Sequence, residues 1–164
     1  MSAQPALEPA IGFARREDAT AIAEMSRDLI ERGLGWSWTP ERVLRTLAQP
    51  DTNAIVARPD GPGPPAGFAI MRYGETEGHL LLLAVQPALG RRGVGAALVG
   101  WLEATACVAG LERIVLETRA TNGAARTFYR RLGFETGQVL PRYYGGKETS
   151  VRMVKRLQVF GPAS

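Results

Sequence analysis

The sequence is poor in the residues that build disulfides and metal sites. Its 164 residues include one cysteine, Cys107, and one histidine, His79. A lone cysteine excludes an intramolecular disulfide, and these two residues are too few for a cysteine- and histidine-rich zinc site. No run of 18 apolar residues occurs, which argues against a membrane-spanning helix. Residues 1–10 contain no basic segment followed by an apolar core, so we expect no signal peptide and a cytoplasmic protein. From the cysteine and histidine counts we expect no bound metal.

The overall composition is that of an ordinary globular protein. Hydrophobic residues make up 45% and charged residues 22%, and the length suits one domain with a sizeable core. Twenty lysines and arginines against 16 acidic residues give a net charge of +4, which suits an anionic ligand. A nucleic-acid surface would need a basic stripe with interleaved aromatics, whereas the compact basic pair, Arg91 and Arg92, lies in a glycine-rich turn. We therefore expect the phosphates of a small cofactor, and no nucleic acid.

Apolar spacing and turn residues predict the element order βααββ, then β-turn-α-β-α, then ββ. The predicted strands are 11–15, 52–57, 67–73, 79–85, 114–118, 134–140 and 150–157. The predicted helices begin at Asp18, at Pro40 after the cap Thr39, near Val94, and after the cap Asn122. The apolar run 79–85 is expected to be buried on both faces. Residues 1–9 and 159–164 are expected to be tails around one domain spanning 10–158.

The turn from Gly90 to Gly95 lies between a strand and a helix and is typical of a phosphate-binding site. Glycines let backbone N–H groups approach a ligand, and the helix N-terminus carries partial positive charge. A P-loop is excluded because Gly95 is followed by two alanines instead of Lys and Ser/Thr. A Rossmann fold is disfavoured because the third glycine is missing and too few residues follow Glu117. Taken alone, the turn also fits a glycine-rich helix start that binds nothing.

Several longer motifs resemble those of the GNAT superfamily of N-acetyltransferases. Residues 83–87 (Leu-Ala-Val-Gln-Pro) followed by 91–96 (Arg-Arg-Gly-Val-Gly-Ala) resemble its acetyl-CoA pyrophosphate motif, and 122–134 resemble its second cofactor motif. Within the superfamily, residues 116–122 and Arg142-Tyr143-Tyr144 resemble RimI-type N-terminal alanine acetyltransferases of ribosomal protein. The resemblance covers about Trp36 to Leu157. Gly90 and Leu82 depart from it, because the family usually has Gln or Arg at the first position and RimI-type enzymes have Asn at the second.

The resemblance implies a fold, a co-substrate and a reaction. The fold is a single α/β (α+β) domain with a mixed central sheet of about six to seven strands and about four flanking helices. The reaction is direct transfer of an acetyl group from acetyl-CoA to a primary amine, first of all a protein N-terminal α-amine. A small-molecule amine acceptor, and a non-catalytic CoA-binding or interaction domain, are the alternatives, and the oligomeric state is left open, a homodimer included. The residues that the resemblance places on the cofactor are Leu83, Ala84, Val85, Arg91, Arg92, Gly93, Val94, Gly95, Ala96 and Asn122.

Two residues are candidates for the proton transfers. An α-amine has a pKa of about 7.7–8.0 and must lose a proton before it attacks, which a carboxylate can take directly or through one water. Glu117 is unexpected in its apolar strand and matches the proton acceptor of RimI-type enzymes; otherwise it pairs with an arginine or faces water, and Glu77 is the rival base. Tyr129 matches the acid that protonates the leaving sulfur, and we expect Phe128 to fill the core beside it.

The remaining reactive or aromatic residues are interpreted more simply. We expect His79 to be structural or exposed, Cys107 to be a packing residue and Trp101 to lie in the core. Trp36 and Trp38 are either core anchors or, by the resemblance, walls of the acceptor site. The same resemblance places Tyr143 and Tyr144 beside a peptide slot.

Overall fold

The computed structural model describes residues 9–58, 62–90, 92–141 and 148–158, and within these ranges the predicted element order is confirmed. Except for Pro9, the predicted tails lie outside the described residues. The strands are β1 Ala10–Phe13, β2 Thr52–Arg58, β3 Gly67–Tyr73, β4 Glu77–Val85, β5 Arg113–Arg119, β6 Glu135–Leu140 and β7 Ser150–Arg156. The helices are α1 Ala19–Met25, α2 Pro40–Leu47, α3 Val94–Val108 and α4 Gly123–Arg131; a π-helical turn, Ser26–Ile30, follows α1. No helix among the described residues is long and apolar enough to cross a membrane.

Local signals set the ends of the helices. The Thr39 hydroxyl accepts a hydrogen bond from the Arg42 N–H at 3.3 Å, and the Asn122 side chain accepts one from the Ala125 N–H at 3.0 Å. Both caps satisfy N–H groups that have no partner within the helix. After α4, Gly133 takes a φ of 98°, a left-handed conformation that favours glycine and ends the helix. These boundaries were therefore predictable from short stretches of sequence.

The chain divides into two compact units, of which the first comprises Met1–Arg72 and Leu82–Leu102. In this unit β1, β2 and β3 form an antiparallel meander, with Ala10 paired to Arg58 and Thr52 to Arg72. A Cβ at Gly67 would lie 3.2 Å from the Ala84 carbonyl oxygen and 3.3 Å from Val85, so glycine allows the end of β4 to approach β3 closely. The core of the unit consists of fully buried side chains that include Ile22, Val43, Ile55, Phe68 and Leu98.

The second unit comprises Tyr73–Leu81 and Glu103–Ser164. The start of β4 runs parallel to β5, from Glu77 opposite Arg113 to His79 opposite Val115, and β5 is antiparallel to β7, which pairs with β6. Its buried side chains include Ile114, Leu116, Phe134 and Met153. The strand order is β1-β2-β3-β4-β5-β7-β6, with residues of β4 in each of the two units, and the predicted mixed sheet is confirmed.

Three expectations about burial in β4 and α3 are wrong. Strand β4 is not buried on both faces: burial alternates, and Leu80, Leu82 and Ala84 are buried while their neighbours are half-exposed. Leucines fill both faces of this strand, so its composition could not reveal which face is covered. Cys107 is exposed, because it lies on the solvent side of the last turn of α3. Trp101 is only half-buried and packs edge-on against Phe13, with the ring centroids 5.4 Å apart.

Candidate functional site

In the first unit, the predicted phosphate-binding turn leads directly into α3. Gly93 has a φ of 86°, and the helix begins at the next residue, with the Ala97 N–H bonded to the Gly93 carbonyl at 2.9 Å. The N–H groups of Val94, Gly95 and Ala96 therefore precede the first bond of the helical ladder. The first turn of this 15-residue helix contains no acidic residue. The turn thus presents backbone donors and the positive end of a helix dipole, as a diphosphate requires.

The other predicted cofactor residues are placed less uniformly. At the end of β4, Ala84 is buried while Leu83 and Val85 are half-buried. Arg92 is half-buried, and Arg91 lies outside the described residues. In the second unit, the side-chain oxygen of Asn122 caps α4, so part of its hydrogen-bonding capacity serves the helix.

Within the second unit, the ladder between β4 and β5 is short. It covers Glu77 to His79 on β4, although β5 continues to Arg119. Beyond Val115, β5 is paired with β7, from Leu116 opposite Met153 to Arg119 opposite Ser150.

Glu117, the candidate base, is paired with the only histidine of the chain. His79 lies opposite Val115, so Glu117, two residues further along β5, is its diagonal neighbour on the same face of the sheet. His79 Nε2 and Glu117 Oε2 are 2.5 Å apart, and the side chains are 28% and 31% exposed. The hydrogen bond with His79 holds the pKa of Glu117 below its ordinary value; burial opposes this effect, while the charges of His79 and Arg152 add to it. Glu117 is therefore an accessible, ionised carboxylate, but by itself a weak acceptor for an ammonium proton.

Glu77, the rival base, has a different environment on the same face. Its carboxylate oxygens lie 3.3 Å from Arg113 Nη2 and 3.1 Å from Arg152 Nη2. Arg113 is the register partner of Glu77 on β5, and Arg152 is the register partner of Glu117 on β7. Two guanidinium groups thus hold the Glu77 carboxylate, which favours a structural role for Glu77 and leaves Glu117 as the better candidate.

Tyr129, the candidate acid, occupies the core position expected for Phe128, so that expectation is wrong. Tyr129 is 9% exposed and Phe128 is half-buried. The turn after α4 returns the chain, with the Phe134 N–H bonded to the Tyr129 carbonyl at 3.0 Å, and the Phe134 ring packs 5.5 Å from the Tyr129 ring. Burial raises the pKa of the Tyr129 phenol, which makes it a hydrogen-bond donor rather than a ready source of protons.

The two tryptophans before α2 differ in exposure. Trp38 is buried beneath the Arg42 guanidinium, which lies 4.0 Å from its ring centroid. Trp36 is 39% exposed, donates to the Ala23 carbonyl at 3.1 Å and has the Arg27 guanidinium 5.3 Å from its ring centroid. Trp38 is thus a core anchor, whereas Trp36 has a face available to a ligand. Arg142, Tyr143 and Tyr144 lie outside the described residues.

The residue that sequence reasoning undervalued is His79. Its relation to Glu117 depends on the parallel register of β4 and β5, which no local pattern encodes. The two-residue alternation along each strand was the available signal, because it limits which side chains can share a face. Among the described residues, no group of three or more histidine, cysteine or acidic side chains is arranged to hold a metal ion.

Solved structures of known proteins share this fold. The ribosomal-protein-S18-alanine N-acetyltransferase of Escherichia coli superposes with a TM-score of 0.77 at 25% identity, covering 94% of this chain and 97% of that one. The PaiA N-acetyltransferase of Thermoplasma acidophilum, solved in complex with coenzyme A, gives a TM-score of 0.74 at 18% identity, covering 92% and 99%. These matches confirm the predicted GNAT-type α/β fold.

Sequence comparison gives the same grouping. The N-alpha-acetyltransferase RimI of Mycobacterium tuberculosis is 34% identical over 139 residues, which cover 82% of this chain and 83% of that protein. The ribosomal-protein-bS18-alanine N-acetyltransferase of Escherichia coli is 35% identical over 94 residues, or 56% of this chain. This chain spans 64% of that protein and 51% of an uncharacterised N-acetyltransferase of Methanocaldococcus jannaschii. The family model for the acetyltransferase (GNAT) family matches residues 21–134, and the chain belongs to that family.

Proposed function

We propose that this chain transfers an acetyl group from acetyl-CoA directly to a primary amine, and that its first acceptor is a protein N-terminal α-amine. The observation that carries the proposal is the ionised, one-third-exposed carboxylate of Glu117 on β5, which is paired with His79 on β4 of a GNAT fold. Support for an α-amine acceptor comes from the Mycobacterium tuberculosis relative, an N-alpha-acetyltransferase that aligns over most of both chains.

The residues present fit acetyl-CoA, which would supply the acetyl thioester. Its diphosphate would bind to the N–H groups of Val94, Gly95 and Ala96 after Gly93, with Arg91 and Arg92 adding charge-assisted donors. The left-handed φ of Gly93 and the absence of acidic residues in the first turn of α3 favour an anion there. The backbone of Leu83, Ala84 and Val85 would bind the amide-containing arm, and Asn122 would contribute from the start of α4.

The second unit carries the groups for proton transfer. The hydrogen-bonded pair of Glu117 and His79 supplies the base that removes a proton from the acceptor's ammonium group. The nitrogen lone pair can then attack the thioester. Tyr129 would donate a hydrogen bond to the sulfur that leaves, and its buried, raised-pKa hydroxyl suits donation of a hydrogen bond better than complete proton transfer. In the first unit, the exposed face of Trp36 would be available to an acceptor.

The test measures thiol release from acetyl-CoA with a panel of acceptors. Peptides with free N-termini should be acetylated, and the same peptides with blocked N-termini are the control. Turnover only with small amines would replace the protein acceptor with a metabolite. Calorimetric binding of acetyl-CoA without turnover on any acceptor would favour a non-catalytic binding domain. No heat of binding with coenzyme A would refute the proposal.

A matched pair of variants tests the choice of base. Glu117→Gln should lower kcat about 100-fold at neutral pH and recover partly at high pH, where the amine loses its proton to solvent. Glu77→Gln makes the same chemical change on the neighbouring strand and should leave kcat within about threefold, because its carboxylate serves Arg113 and Arg152. The reverse ranking would move the base to Glu77.

Two other expectations, the domain boundaries at 10 and 158 and the cytoplasmic location, stay predictions. The oligomeric state is left open, a homodimer included. Gel filtration and light scattering would determine it.

A further inference from the structure

The Glu117–His79 pair raises the question of which member receives the proton, and this question rests on the proposed function. An α-ammonium group has a pKa of about 7.7–8.0 and a carboxyl group an ordinary value of about 4.3. Proton transfer to such a carboxylate is unfavourable by more than about three powers of ten. The hydrogen bond from His79 makes the Glu117 carboxylate a still weaker acceptor. An imidazole is the side chain that most often acts as a general base near neutral pH.

The geometry of the pair allows His79 to accept a proton while it stays hydrogen-bonded to Glu117. His79 Nε2 lies 2.5 Å from Glu117 Oε2, so in the neutral ring the Nε2–H donates to the carboxylate and Nδ1 keeps its lone pair. No other hydrogen bond to the His79 side chain occurs within the part of the chain that the structure describes. The imidazole is 28% exposed, which leaves it accessible to an acceptor amine.

The charged neighbours support this assignment. On the same face lie Arg152 from β7, Arg113 from β5 and Glu77 from β4; the two arginines are bonded to Glu77. Arg119, two residues beyond Glu117, pairs with Glu148 at 3.4 Å. The Glu117 carboxylate, by contrast, is hydrogen-bonded to His79. Its negative charge can stabilise an imidazolium formed there.

We propose that His79 is the catalytic base of this enzyme, and that Glu117 is a positioning residue that orients the imidazole and stabilises its protonated form. The N–H bond of the acceptor's ammonium breaks, and its electron pair stays on the amine nitrogen. The proton forms a new bond to His79 Nδ1 while the Nε2–H remains bonded to Glu117. After the transfer, the imidazolium releases this proton to water, and the pair returns to its starting state.

The test in turnover compares His79→Gln with wild type across pH. The kcat/KM of His79→Gln should fall about 100-fold or more at pH 7, with the KM for acetyl-CoA unchanged, and the deficit should shrink as the pH approaches the pKa of the amine. Added imidazole should restore turnover to His79→Ala, but not to Glu117→Gln, which keeps its own imidazole. A wild-type pH profile for His79→Gln, or no rescue of His79→Ala by imidazole, would return the role of base to Glu117.

A second measurement does not depend on activity. His79 is the only histidine in the sequence, so nitrogen-15 NMR of protein without a histidine tag reports this one ring. The neutral ring should be in the Nε2–H form in wild type and should lose this preference in Glu117→Gln. A neutral ring in the Nδ1–H form would overturn the inference while leaving acetyl transfer intact. If wild type transfers no acetyl group to any amine, the proposed function and this inference both fall.

Discussion

Replacing Glu31, which lies before α2, should lower the free energy of unfolding more than replacing a surface glutamate does. Glu31 is 8% exposed and directly follows the π-helical turn. Its carboxylate accepts hydrogen bonds from the Ser37 N–H at 2.8 Å, the Ser37 hydroxyl at 2.6 Å, the Ser26 hydroxyl at 2.8 Å and the Trp38 N–H at 3.3 Å. One side chain therefore fixes the entry to α2 and the backbone next to Trp36.

The magnitude follows from the donors that would lose their acceptor. In Glu31→Ala the hydroxyl groups can turn to other acceptors, but the N–H groups of Ser37 and Trp38 cannot. An unsatisfied buried N–H costs about 1–3 kcal/mol, and only Trp38 is buried, so we expect a loss of about 1–3 kcal/mol. For a chain of this size this corresponds to a fall in Tm of roughly 2–12 °C. Glu31→Gln, which keeps one acceptor oxygen, should lose less.

The assay is urea unfolding, with Glu24→Ala as the control because Glu24 is exposed on α1. The pH dependence adds a second check. Burial alone would raise the pKa of Glu31, but its hydrogen bonds with Ser37, Ser26 and Trp38 outweigh burial and hold the pKa below the ordinary value. The contribution of Glu31 should thus be complete above about pH 4.5 and fade as the pH falls through the lowered pKa. A Glu31→Ala protein within 0.5 kcal/mol (about the scatter of surface variants) of Glu24→Ala would refute this reasoning.

Two further predictions concern the proposed active site. Gly93→Ala should cost about 1–2 kcal/mol of stability because of its left-handed φ, and calorimetry should show weaker binding of coenzyme A; Gly100→Ala, in the interior of α3 with open space around it, is the control that should bind normally. Tyr129→Phe should lower kcat about 10–100-fold while the KM for acetyl-CoA and the unfolding midpoint stay near wild type, since it removes only a hydroxyl. Equal turnover of Tyr129→Phe and wild type would exclude Tyr129 from the reaction.

The sequence by itself determined the elements and the glycine turn that we predict to bind phosphate. Caps such as Thr39 and Asn122, and a stop such as Gly133, act on groups within a few residues of themselves, so their effects can be predicted locally. The same holds for the turn before α3, where Gly93 and the helix start are adjacent in the chain. The GNAT resemblance rests on these contiguous motifs, and the fold it implied was confirmed for that reason.

Only the tertiary structure decided the environments of the candidate catalytic side chains. Glu117 and His79 are 38 residues apart, and their contact exists because β4 and β5 are parallel in one register; a shift by one residue would place them on opposite faces. In the same register, Glu77 forms ion pairs with Arg113 and Arg152, and Glu117 is hydrogen-bonded to His79. Tyr129 took the core position from Phe128 because Phe134 returns over α4. Sequence patterns state which side chains exist along each strand or helix, whereas the pairing of distant elements sets which charges meet and therefore which group can accept a proton.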